Sequence, residues 1–146
     1  KNKTWSADKL KRVETDFETV TGNKLIEFTD GYYIATNKST GDTVNLTPQE
    51  GSGTSSYAIL NCSPGDIFTL NGTGGSTGRL WCFIDSSNKC IYASSADLQA
   101  TDLKIQAPPN TSKLILNVVT TTKGMCCKNA SIDLRVDDLE NNLSSV

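Results

Sequence analysis

Turn signals cut the stretch from residue 25 to residue 128 into short runs. Asp30-Gly31, Thr40-Gly41-Asp42, Pro64-Gly65-Asp66, Asn71-Gly72, Gly74-Gly75 and Pro108-Pro109-Asn110 each supply residues that reverse a chain. Glycine and asparagine reach positive φ at little cost, and proline presets φ for the first turn position. Between such breaks there is room for strands but little for helices. The expected strands are Leu25–Phe28, Tyr32–Ala35, Thr43–Leu46, Ser56–Cys62, Asp66–Leu70, Arg79–Ile84, Cys90–Ala93, Leu103–Gln106 and Lys113–Val119, with a short one near Gly124–Cys127. Short strands at this spacing predict an antiparallel β-sandwich.

The run Arg79-Leu80-Trp81-Cys82-Phe83-Ile84 sets the faces of one strand. Side chains alternate along a strand, so Leu80, Cys82 and Ile84 are expected on one face. Arg79, Trp81 and Phe83 then share the other. Both faces are partly apolar, as deep in a sandwich or along a binding cleft.

The two ends read differently. Leu10, Val13, Phe17 and Val20 form a heptad seam after a Ser6 N-cap, with Gly22 and Asn23 as a stop. Ile132, Val136, Leu139, Leu143 and Val146 repeat the seam and are still in phase where the chain stops. The expected organisation is an N-terminal helix over 1–24, a β domain over 25–128 and a C-terminal coiled-coil helix over 129–146, within a longer protein. The seam fits either a homotrimer or packing within one chain.

Composition removes several functions. The 146 residues contain no histidine, which excludes Ser-His-Asp and Cys-His nucleophiles and histidine-ligated metals. The formal charge of −2 argues against nucleic acid as the main partner. No apolar run approaches the ~18 residues of a membrane span. Cys62, Cys82, Cys90, Cys126 and Cys127 are odd in number and irregularly spaced. They are expected to be reduced and structural, in a chain that folds in a reducing cytoplasm. Asp85, Asp97 and Asp102 offer no spacing that singles out an acid–base pair. Asp30 and Asp42 could help hold a structural calcium, which needs several oxygen ligands, but the sequence has no Asp-rich loop to complete the set. No cofactor is expected, and no enzymatic activity.

One cluster points to a ligand. Tyr57, Arg79, Trp81 and Tyr92 fall beside the glycine loop 71–78. Sugars present weakly apolar CH faces ringed by hydroxyls. A site for them needs an exposed ring to stack on and forked or charged donors beside it. Trp81 and Arg79, two apart on one strand, would meet the same sugar. The alternative is that Trp81 is simply core.

The stretch Tyr57-Ala-Ile-Leu-Asn-Cys-Ser-Pro-Gly-Asp-Ile-Phe-Thr-Leu70 is followed by Gly72-Thr-Gly-Gly75 and Gly78-Arg-Leu-Trp-Cys-Phe-Ile-Asp85. Ala107-Pro-Pro-Asn110 and Lys113-Leu-Ile-Leu-Asn-Val118 come next. This order resembles the jelly-roll, carbohydrate-binding-module-like domains in tail and baseplate proteins of phages infecting Gram-positive bacteria. Thr4–Glu14 is similar to the helix that precedes such modules, and Arg135–Ser145 to their coiled-coil linkers. The resemblance implies a virion component, assembled in the bacterial cytoplasm, that binds a bacterial surface glycan and touches other tail or baseplate proteins. It places Arg79, Trp81 and Asp85 on the strand that lines the binding face. A structural connector and a module cut from a secreted bacterial enzyme remain as alternatives.

Overall fold

A computed structural model describes residues 23–119 and 126–129; the two expected helices lie outside the described residues. Within them are eleven strands: β1 Lys24–Leu25, β2 Thr29–Asp30, β3 Tyr32–Tyr33, β4 Gln49–Glu50, β5 Ser56–Asn61, β6 Ile67–Thr73, β7 Trp81–Ile84, β8 Cys90–Ala93, β9 Gln99–Gln106, β10 Lys113–Val118 and β11 Cys127–Lys128. They form a four-stranded sheet in the order β1-β11-β6-β9, a five-stranded sheet in the order β2-β5-β10-β7-β8, and the pair β3-β4. All these strand pairs are antiparallel. The protein is mainly β, as its punctuation predicts.

Alternation builds the layers. Phe68 and Leu70 of β6 meet Leu114, Leu116 and Val118 of β10, with Ala58 of β5 and Phe83 of β7, in one buried cluster. The two larger sheets therefore face each other across it, in a sandwich-like arrangement. The alternate residues of β10 and β7 point the other way. Ile115, Cys82 and Ile84 form a second cluster with Cys90, Ile34 and Val44. The segment carrying Ile34 and Val44 thus covers the outer face of the five-stranded sheet. This double cover explains why Leu114-Ile115-Leu116 is an unbroken apolar run.

A single polar side chain ties that cover down. Asn117 is buried in β10. Its Oδ1 accepts from the Ile34 N–H at 2.8 Å, and its Nδ2 donates to the Ile34 carbonyl and the Arg79 carbonyl, both at 3.0 Å. Thr36, also buried, accepts from the Arg79 N–H at 2.8 Å.

Several expectations are corrected. Asn71-Gly72 is not a turn: β6 runs on to Thr73, with Gly72 at φ 137° where the pairing with β9 shifts register. β9 accordingly starts at Gln99 rather than Leu103. Thr43–Leu46 reduces to one bridge, Thr43 to Lys89. The strand at Tyr32 stops at Tyr33 and pairs with Gln49–Glu50, which lacks apolar alternation and was not expected as a strand. Leu80 joins the cluster between the sheets rather than Cys82 and Ile84, because the chain bends at Leu80 before β7 begins.

Candidate ligand-binding site

The glycine-rich loop between β6 and β7 is built by close approach. A Cβ on Gly74 would stand 2.4 Å from the Leu80 backbone nitrogen, so only glycine fits there. The Gly75 N–H donates to the Gly78 carbonyl at 2.8 Å, closing a tight turn. The Thr36 N–H reaches the Thr77 carbonyl at 2.9 Å, which fixes the loop to the covering segment.

Arg79 follows this turn. Its Nε donates to the Ser76 carbonyl at 2.8 Å and its Nη1 to the Ser94 carbonyl at 3.0 Å. The guanidinium therefore clamps the glycine loop to the end of β8. No carboxylate among the described residues forms an ion pair with it. Its charge is left to solvent or to a ligand.

Trp81 opens β7 and is partly buried against the cluster between the sheets. Its ring meets Phe83 at 5.5 Å and Tyr92 at 5.1 Å, the latter edge to face at 83°. Tyr92 lies opposite Phe83 on β8, the last strand of its sheet, and is 62% exposed. The indole Nε1 is buried and has no hydrogen-bond partner among the described residues. Trp81 is thus part core and part support for an exposed ring. Loss of a hydrogen bond at a buried N–H is costly, so packing of the rings must offset it.

The other two candidates stand apart. Tyr57 lies opposite Asn117, while Trp81 lies opposite Leu116, so the two rings are on opposite faces of the sheet. Tyr57 packs against the outer cluster. Asp85 is at the far end of β7, where its Oδ1 accepts from the N–H groups of Ser87 and Lys89, both at 2.9 Å. That carboxylate shapes the β7–β8 turn. The structure therefore brings together Arg79, Trp81 and Tyr92, and leaves Tyr57 and Asp85 out.

Hydrogen bonds in separate turns and strands hold the other aspartates named from the sequence, through the side chain or, at Asp97, the backbone. Asp102, at φ 49°, receives the Asn71 amide at 3.3 Å, and Asp97, at φ 55°, donates its N–H to the Gly75 carbonyl at 3.2 Å. Asp30 accepts from Ser56 Oγ and Asp42 from the Ser39 N–H, in different loops. Among the described residues no three metal-ligating side chains come together.

A cavity of about 240 Å³ that the sequence did not announce opens between the glycine loop and the Gly51–Ser56 turn. Tyr33, Ser52, Ser55, Thr77 and Asn117 line it. Its signal was the coincidence of two runs of glycine and serine, which leave space because they carry little side chain. No protein-family model, curated protein or solved structure matches the chain.

Proposed function

We propose that this chain is a non-enzymatic adhesion module of a phage tail or baseplate, with a jelly-roll sandwich carried between two coiled-coil helices in a homotrimer. Its ligand is a bacterial surface polysaccharide, and its other partners are tail or baseplate proteins. The observation that supports the glycan reading is Tyr92, exposed on the last strand of its sheet and braced by Trp81, with Arg79 clamped to the end of that strand and without an acidic partner among the described residues. A ring held rigidly at its edge offers a stacking surface without ordering cost on binding. Each site would be weak, and many copies on one particle would supply avidity.

An array of Gram-positive wall glycans probed with the oligomeric full chain tests this. Binding that falls about tenfold in Tyr92→Ala is expected, equal to the loss of ~1.4 kcal/mol of stacking. No binding to any wall glycan would sink the ligand claim.

A structural connector is the second reading, favoured by the packing of Trp81 into the shared cluster. Quenching of Trp81 fluorescence by acrylamide in a Trp5→Phe background separates the two. Saturating glycan would protect a ring that supports a binding surface and leave a purely structural one unchanged.

A further inference from the structure

We infer that Cys82 and Cys90, free thiols in this structure, are a built-in cross-linking site, whose disulfide would staple β8 to β7. The two sulfurs are 3.8 Å apart and both residues are buried. Cys82 lies opposite Ala93, and Ile84 lies opposite Cys90. One extra residue in β8, Ile91, bulges the strand between these pairs and brings Cys90 diagonally towards Cys82. A disulfide needs sulfurs ~2.0 Å apart, so the pair must close by about 1.8 Å. The sulfurs are already in contact, and closing the gap calls for side-chain rotation together with a small shift of the bulged backbone. The other cysteines lack this arrangement: Cys126 Sγ is directed to the Asn71 carbonyl and Cys62 lies towards Asp66 and Lys128.

The chemistry is exchange with a low-molecular-weight disulfide, RSSR. One cysteine thiolate attacks a sulfur of RSSR and expels RS⁻, leaving a mixed disulfide on the protein. The second thiolate attacks the protein sulfur of that mixed disulfide and expels the second RS⁻. Two protein thiols are oxidised, one small disulfide is reduced to two thiols, and the two protein protons pass to the leaving groups. Burial pushes both thiols up, so few thiolates exist in the closed sheet at neutral pH. Access comes when the segment 40–44, whose backbone is hydrogen-bonded to Asn88 and Cys90 and covers the start of β8 opposite β7, opens or has not yet docked. The cross-link therefore forms during folding in oxidising surroundings, and slowly in the finished domain.

Proteolysis reads the link directly. The full chain is reduced, unfolded, refolded in a glutathione–glutathione disulfide buffer, alkylated and cut with trypsin. Cleavage after Arg79, Lys89 and Lys104 puts Cys82 in peptide 80–89 and Cys90 in peptide 90–104. The expected product is these two peptides joined, lighter by two hydrogens than their sum, and separated by reductant. The oxidised chain should melt higher than the reduced chain by roughly 5–10 °C. Cys82→Ala should abolish both the joined peptide and the oxidation-dependent shift. Recovery of both peptides singly and alkylated overturns the inference. So does either one joined to another cysteine, or a joined species that melts below the reduced chain.

Discussion

Asn117 and Tyr92 mark two extremes of what one side chain does in this fold. Asn117 occupies a buried place between apolar neighbours and makes three short bonds to backbone groups of two other segments. An apolar replacement would leave those backbone groups buried without partners, which costs more than the bonds themselves contribute. Asn117→Ala is expected to lower the unfolding free energy by about 3 kcal/mol in urea titration. Tyr92 is mostly exposed and its removal uncovers only the edge of Trp81. Tyr92→Ala should change stability by less than about 1 kcal/mol, so any lost binding in that variant belongs to the surface rather than to the fold. Neither role was legible from the residue alone. Asn117 reads as one polar residue closing an apolar run, and its worth depends on a segment far away in sequence that no local pattern announces.

At the scale of elements, the sequence was most readable where a continuous apolar run lies between turn signals. Ser56–Asn61, Cys90–Ala93 and Lys113–Val118 lie where the pattern put them, to within a residue or so. It was least readable where backbone geometry decides. Asn71-Gly72 carries the composition of a turn, yet the glycine's positive φ is used for a register shift inside a continuing strand. Gln49–Glu50 is exposed on both residues, so no burial periodicity existed to reveal it. The candidate site was half legible. Strand alternation correctly put Trp81 and Phe83 on one face, but could not say that Tyr57 on β5 falls on the opposite one, because that depends on register across β10. The loop before β7 is where an element controls the site. Gly74 has no room for a Cβ against the Leu80 backbone, so Gly74→Ala must push Leu80 away and disturb Arg79 and Trp81 on either side of it. The expected outcome is a melting point lower by roughly 5 °C or more, together with weaker glycan binding, against unchanged binding in Gly53→Ala, where nothing lies within contact distance.

At the scale of the whole molecule, the buried thiols make stability depend on alkali, an expected outcome that urea titration checks. Burial is the largest cause pushing up Cys62, Cys82, Cys90 and Cys126, with Cys62 raised from 9.0 to about 11. A thiol whose folded pKa exceeds its unfolded value loses its proton first in the unfolded chain. The unfolded state then binds fewer protons, so stability falls as pH rises. The contribution is complete below the unfolded value near 9 and, for Cys62, is lost by the time pH passes about 11. The other three thiols act in the same direction. Burial pushes up both Cys82 and Cys90; the Cys90 sulfur raises Cys82 further, while the contact with Cys82 partly offsets the rise at Cys90. Urea midpoints measured on the reduced chain from pH 8 to pH 11 should stay level to about pH 9 and then decline. Cys82→Ala should start lower at pH 8, because the outer cluster loses a packed sulfur, but should decline less steeply. The disulfide-linked chain, lacking both thiols, should also decline less steeply while starting higher. A midpoint in the reduced chain that holds constant to pH 11 would mean that these thiols reach water in the folded state.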